Sequence, residues 1–299
     1  MKTLLVLLGP TGVGKTDLSI EIAQYFDTSI ISCDSRQIYK EMRIGTAVPE
    51  EAQLAAVPHY FIQTISVKDY YNSWQYETEA LAKIRELFEE NDVVVMCGGS
   101  MLYIDAVCKG IDDIPTISPE LRGELMEIYE KNGLEPIRAM LKELDPVFYE
   151  QVDLNNGKRV LHAVEVCRMA GVPYSALRTN TPKERGFNIV RIGLNREREE
   201  LYRRIDRRVE LMLEEGLVAE ARELLPMRHL NALNTVGYKE LFDYFEGKTD
   251  YEEAVRLIKR NSRRYARKQL SWFRRDNDIE WFHPEQKADI LDYLNRQDG

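Results

Sequence analysis

Long apolar runs are scarce in this chain. The first, residues 4–8, falls far short of the ~18 residues a membrane span needs and passes straight into Gly9-Pro10 with no small-residue cleavage site. Neither a membrane span nor a targeting segment is expected, and a cytoplasmic location fits. Cysteine is equally sparse: Cys33, Cys97, Cys108 and Cys167 show no CxxC pair and no regular spacing. That pattern argues against a disulfide framework or a zinc site and suits buried thiols in a reducing compartment. No internal repeat and no low-complexity tract is present. Positive charge is also in deficit, 41 Lys and Arg against 50 Asp and Glu, for a net charge of −9. Taken as a total, this counts against a nucleic-acid partner, because phosphate binders usually carry a positive surplus. The distribution counts the other way. Acidic residues crowd into residues 77–92 and 120–150, whereas residues 256–275 hold Arg256, Lys259, Arg260, Arg263, Arg264, Arg267, Lys268, Arg274 and Arg275 with no acid among them. A solvated helix face and a backbone-binding face both suit such a stretch.

What the chain does have is 299 residues, 44% of them hydrophobic. That is enough for a sizeable core and, at ~100–200 residues per domain, for two domains. Residues 4–8 read as a buried strand, then a glycine-rich turn, then a helix over 17–26 with apolar spacing at Leu18, Ile22, Ala23 and Phe26. Short buried strands follow at 29–33 and 92–97, with helical periodicity over 74–90 between them. Strands alternating with helices predict an α/β fold with a parallel sheet, whose ligands bind beyond the carboxyl ends of the strands. From about 112 to 186 the pattern becomes helical segments punctuated by Pro115, Pro119, Pro136, Pro146, Pro173 and Pro182. A last strand is expected at 188–194, and helices at 196–214, 218–225, 237–245 and 251–273. The expected organisation is a P-loop parallel-sheet core with flanking helices in residues 1–111, an all-helical insertion in 112–186, and 187–299 completing the core.

Gly9-Pro10-Thr11-Gly12-Val13-Gly14-Lys15-Thr16 matches G-x-x-x-x-G-K-T between a strand and a helix, the context this phosphate-binding turn requires. Its glycines let backbone N–H groups converge on a phosphate, and the helix start adds roughly half a positive charge. Lys15 is suited to bridging phosphate oxygens and Thr16 to offering a hydroxyl to Mg²⁺. A P-loop announces a diphosphate or triphosphate without naming the reaction. In nucleotide hydrolases a second strand usually ends in a metal-holding Asp. Here the strand at 93–97 runs into Gly98-Gly99-Ser100, and the nearest strand-end acid is Asp34, expected one strand from the cradle. Asp34 suits an N-cap, or a general base that takes a proton from an incoming nucleophile. Spacing alone allows either role.

The P-loop, Asp34-Ser35-Arg36-Gln37-Ile38-Tyr39 with Gly45-Thr46-Ala47, Pro58-His59, Gly98-Gly99-Ser100-x-x-Tyr103, Asp145-Pro146, Val236-Gly237-Tyr238 and Arg267-Lys268-Gln269-x-Ser271-Trp272 fall in one order. From about residue 4 to 272 this resembles the tRNA dimethylallyltransferases. The resemblance implies that Gly9, Pro10, Thr11, Gly12, Val13, Gly14, Lys15 and Thr16 hold the diphosphate of dimethylallyl diphosphate, with Mg²⁺ near Thr16. It implies Asp34 as general base toward an adenosine amine, with Lys15, Ser100 and Arg208 as the other catalytic residues. Arg204 and Arg208 look like the family's arginines after the last sheet strand. Asp34, Ser35, Arg36, Gln37, Ser100, Arg122, Lys158, Arg159 and His162 would meet tRNA. The insertion would clamp the anticodon stem. Two hydroxyl-conserving departures are Ser100 and Ser271, where the family commonly has Thr. A third is His162, where relatives typically carry Arg; a mostly neutral group then replaces a fixed charge. Motif reading alone would label the turn ATP-binding, whereas the resemblance implies the prenyl diphosphate. The rival readings are a P-loop small-molecule kinase and a non-catalytic, nucleotide-gated RNA-binding protein. A monomer is expected.

Overall fold

The computed structural model describes residues 2–115, 117–179 and 181–297. The chain forms two compact units, Met1–Cys108 with Glu184–Gly299, and Lys109–Lys183.

The first unit is built on β1 (Thr3–Leu8), all six of whose residues are buried. Its unbroken apolar run follows from its position, since a central parallel strand is covered on both edges and both faces. After it come α1 (Lys15–Tyr25), β2 (Ile30–Cys33), α2 (Glu51–Ala56), β3 (His59–Tyr60), α3 (Ser73–Glu90), β4 (Val93–Gly98) and α4 (Met101–Lys109). Among the described residues the second unit holds five helices, α5 (Pro119–Asn132), α6 (Glu135–Leu144), α7 (Pro146–Gln151), α8 (Gly157–Ala170) and α9 (Tyr174–Leu177). The first unit then resumes with β5 (Asn188–Leu194), α10 (Arg198–Glu214), α11 (Leu217–Leu224), α12 (Tyr238–Phe245), α13 (Tyr251–Phe273), β6 (Ile279–Phe282) and α14 (Lys287–Gln297).

Among the described residues the six strands are all parallel, in the order β3-β2-β4-β1-β5-β6. Period-two alternation along β1 sends its side chains to two cores. Leu5 and Leu7 pack with Leu18, Ile22 and Ala23 of α1 and with Leu201 and Ile205 of α10. Leu4, Val6 and Leu8 pack with Tyr76, Ala80 and Ile84 of α3 and with Ile104 and Val107 of α4. A third cluster joins Ile38 and Met42 to α11, α12 and Ile258 of α13. Two strands differ from the sequence expectation. β3 pairs with β2 through only two residues, too few for alternation to register, and β6 adds an edge beyond β5 with the half-exposed sequence Ile-Glu-Trp-Phe. The sheet order also corrects the expected place of Asp34. β4 lies between β1 and β2, so the β2 tip is two strands from the cradle rather than one.

Near the resumption of the first unit, Arg185 donates to Glu77 at 2.7 Å and to the carbonyls of Ala106 and Val107 at 2.6 and 2.8 Å. Both side chains of this ion pair are buried, and the cation closes the carboxyl end of α4, where helix carbonyls lack partners. In the second unit, Asp145 is fully buried and accepts from Phe148 N at 2.9 Å, Ser175 N at 2.6 Å and Ser175 Oγ at 2.8 Å. Pro146 starts α7 behind this cap. The Asp-Pro pair thus ties α7 to α9 over a core of Leu125, Ile137, Leu141, Phe148, Val160 and Val164. Among the described residues no helix is long and apolar enough to cross a membrane.

Candidate active site

At the carboxyl ends of β1, β2 and β4 the first unit opens a cavity of about 1320 Å³. This exceeds the ~300–1,000 Å³ of a typical small-ligand pocket. Thr11, Gly12, Gly14, Lys15 and Thr16 line one part, and Asp34, Ser35, Arg36 and Gln37 another. Arg204 and Arg208 of α10 and Tyr265 and Gln269 of α13 complete it. Gly9, Pro10 and Val13 do not reach the lining; they brace the turn from behind.

The turn is held by arginines on its carbonyl side. Arg196 Nε donates to Val13 O and Arg204 Nε to Gly12 O, both at 2.9 Å. Gly12 sits at φ +78° with its α-carbon against Ile205, where a β-carbon would fall 2.9 Å from Ile205 Cγ1. Only glycine meets both conditions. These bonds engage the carbonyls of Gly12 and Val13, while Thr11, Gly12, Gly14, Lys15 and Thr16 of the turn line the cavity. Lys15 Nζ is folded back on Gly9 O at 3.0 Å and Pro10 O at 2.9 Å.

Electrostatically the cavity is short of anions. Desolvation holds the Lys15 ammonium below its ordinary value; Cys97 pulls it back, Arg208 lowers it further and Asp34 raises it. Desolvation likewise lowers Arg208, with Asp34 opposing. Two cations in a low-dielectric cleft, each destabilised by burial, are relieved by a ligand carrying negative charge.

Asp34 does not cap a helix as an N-cap would, since turns rather than a helix follow β2; it caps a turn and leaves room for the other role. Its Oδ1 accepts from the backbone amides of Arg36 at 2.8 Å and Gln37 at 3.2 Å, an Asx-type turn that fixes the side chain. Its Oδ2 has no hydrogen-bond partner among the described residues, and Asp34 lines the cavity. Ser100 Oγ, at the tip of β4, accepts from Ser35 N at 2.8 Å and donates to Ser35 Oγ at 3.1 Å. Gln37 Nε2 donates to Thr46 O and Ala47 O at 3.1 and 2.9 Å, and Arg36 Nη1 to Asn231 O at 3.4 Å. Arg208 Nη2 donates to the same Thr46 O at 3.4 Å. Tyr265 directs its hydroxyl at Ser100; burial first, then the charge of Asp34, pushes that phenol up to about 12.

The loop that receives Gln37 and Arg208 has an anchor the sequence reading missed. Glu220 accepts from the successive amides of Arg43, Ile44 and Gly45 at 3.0, 2.7 and 2.9 Å, and from Tyr238 Oη at 2.6 Å. A β-carbon on Gly45 would lie 2.6 Å from that phenol oxygen. Gly45 and Tyr238, both in motifs visible in the sequence, therefore form one contact that shapes the loop. Glu220 carried no signal, because the three backbone amides it holds lie 175 to 177 residues away.

The second unit places its candidate residues in two groups. Lys158 and Arg159 are exposed at the start of α8. Arg122 and His162 instead converge on the buried Glu165, Arg122 through paired bonds of 2.9 and 3.2 Å and His162 through a 3.5 Å contact. Burial would raise the Glu165 carboxyl, but hydrogen bonds from His162 and Arg122 hold it below its usual range.

Sheet and cradle define a P-loop α/β protein whose cavity pairs an anion cradle with a carboxylate. Comparison with known proteins narrows this. Residues 37–276 match the family described as IPP transferase. The chain is 59% identical over 283 residues to tRNA dimethylallyltransferase 1 of Porphyromonas gingivalis, covering 95% of this chain and 94% of that one. It is 55% identical over 293 residues to tRNA dimethylallyltransferase 1 of Phocaeicola vulgatus, covering 98% of each. The crystal structure of a full-length tRNA isopentenylpyrophosphate transferase from Bacillus halodurans superposes with a TM-score of 0.73 at 32% identity, covering 100% of this chain and 97% of that one. This chain belongs to the tRNA dimethylallyltransferase family, and it is a transferase rather than a small-molecule kinase.

Proposed function

We propose that the chain moves the dimethylallyl group of dimethylallyl diphosphate onto the exocyclic N6 amine of the adenosine 3′ of the anticodon (position 37). Its substrates are tRNAs reading codons that begin with U, and it releases diphosphate. The observation that carries this reading is a single cavity with an anion cradle and two desolvated cations on one side and a half-satisfied carboxylate on the other.

The adenine amine is a weak nucleophile because its lone pair is delocalised into the ring. The allylic carbon–oxygen bond compensates by loosening early. Its electron pair leaves with the diphosphate oxygen, while the N6 lone pair forms the new carbon–nitrogen bond. Cradle amides, Lys15 and Arg208 stabilise the departing charge, and such preorganised electrostatic stabilisation usually outweighs every other catalytic effect. Lys15 leaves the carbonyls of Gly9 and Pro10 to do so. Oδ2 of Asp34 takes the amine proton, while Oδ1 keeps the turn capped. The donor set also fits Mg²⁺ at Thr16, which lines the cavity beside Lys15. When bound there, Mg²⁺ would neutralise part of the diphosphate charge.

Base flipping in an RNA loop costs a few kcal/mol, because such bases are already partly unstacked. Arg36, Ser35 and Gln37 are suited to meet the flipped nucleotide. Lys158 and Arg159, with the Arg122 and His162 pair behind them, are suited to the stem backbone. A cytoplasmic monomer accords with the reading. The test is mass spectrometry of hypomodified tRNA after incubation with the protein, Mg²⁺ and dimethylallyl diphosphate. Addition of one C5H8 unit to the adenosine supports the proposal; phosphoryl transfer from ATP to a small acceptor without tRNA refutes it.

A further inference from the structure

Gln269 lies on the face of α13 that lines the cavity and is 2% exposed. Its Oε1 accepts from Thr11 N at 2.9 Å, and its Nε2 donates to Gly99 O at 2.8 Å. One amide therefore joins the phosphate turn after β1 to the glycine pair after β4. The contact is tight: a β-carbon on Gly99 would fall 2.4 Å from Gln269 Nε2 and 3.2 Å from Gly9 O. The chain of contacts continues through the next residue. Ser100 holds Ser35 by its amide and its hydroxyl, and Ser35 follows Asp34. Thr11 N–H is thereby committed to the protein, so the amides left for a phosphate are those further along the turn.

We infer that Gln269 is a positioning residue that sets the distance between the diphosphate cradle and the proton-accepting Asp34. It does so by clamping Thr11 to the β4 tip that carries Ser100. The inference rests on the transferase reading above. A side chain whose two amide ends are both satisfied across two separate loops is matched to a fixed separation. In-line displacement needs that separation, since leaving group and incoming amine must sit on opposite faces of one carbon. A misplacement near 1 Å costs on the order of 10²-fold in rate.

The test compares wild type, Gln269→Met, Gly99→Ala and the double variant Gly99→Ala/Gln269→Ala with its parent Gln269→Ala. Single-turnover transfer is measured to an anticodon stem-loop, and pyrophosphate affinity by calorimetry. Gln269→Met keeps the volume and loses both bonds. It is expected to lower the transfer rate about 10²-fold while pyrophosphate affinity, which depends on Lys15 and the remaining amides, moves by less than about threefold. Gly99→Ala displaces the amide and should cost a similar factor. On the Gln269→Ala background the 2.4 Å clash is gone and only the 3.2 Å approach to Gly9 O remains, so the same change should cost clearly less than in wild type, a non-additivity expected of contacting residues. A wild-type rate in Gln269→Met, equal losses of rate and affinity, or additive effects of Gly99→Ala and Gln269→Ala would each overturn the inference alone. A wild type that transfers nothing overturns the transferase reading and the inference with it.

Discussion

Asp34 separates two roles within one side chain, and the separation is testable because Asn keeps one of them. Asp34→Asn retains an oxygen for the Arg36 and Gln37 amides but loses the proton acceptor at Oδ2. It should leave the melting temperature within a few degrees of wild type and lower transfer by ~10²–10⁴-fold, read by single-turnover kinetics. Lys15→Met should lose a comparable factor of ~10²–10³ through the departing charge. Lys15 also predicts a proton signature. Desolvation depresses the free ammonium below its ordinary value, and a bound diphosphate should restore it. Diphosphate binding then takes up a proton in the window between the lowered and restored values, and affinity falls as pH rises through that window. Calorimetry of pyrophosphate binding in buffers of different ionisation enthalpy reads the uptake. The portion due to Lys15 is what disappears in Lys15→Met; equal uptake in both proteins would show that the ammonium is not the group involved.

At the scale of elements, legibility followed the range over which a signal acts. β1 and its turn were readable because an apolar run, a glycine pattern and a helical repeat sit side by side in sequence. β3 and β6 were not, since two pairing residues or a half-exposed edge produce no periodicity. Nor could sequence show that β4 intervenes between Asp34 and the cradle, because strand order is set by packing rather than local pattern. Gly45 and Tyr238 were visible as motifs, but their purpose, one contact around Glu220, is a matter of three dimensions. That contact predicts a graded series. Tyr238→Phe leaves Glu220 short of one donor and should cost ~1–3 kcal/mol of stability by denaturant melts. Gly45→Ala drives a methyl into the phenol and should displace the loop whose Thr46 carbonyl receives Arg208, so its loss should appear in the transfer rate as well. Breaking the buried Glu77–Arg185 pair by Arg185→Met should cost about 3–5 kcal/mol, because a buried carboxylate loses the cation opposite it.

Across the whole molecule, a net charge of −9 coexists with a cationic stripe, and the structure shows how. Arg256, Lys259 and Arg263 of α13 pair with Glu253, Glu210 and Asp206. Arg264, Arg267 and Lys268 are exposed, beside the turn of α13 that carries Tyr265 and Gln269 into the cavity. Replacing each of these three by Ala should reduce the slope of log affinity for tRNA against log salt by about 0.7–1 per residue, while dimethylallyl diphosphate affinity stays unchanged. The order of the sheet carries a consequence for how such a chain is made. β1 leaves the ribosome before both of its neighbours, β4 and β5, and β5 is translated only after the entire helical unit. A nascent chain halted at residue 183 therefore exposes one unpaired edge of the cradle strand, the condition that invites aggregation and holdase chaperones during synthesis. Stalled chains should stay protease-sensitive around residues 3–8 until translation has passed residue 194.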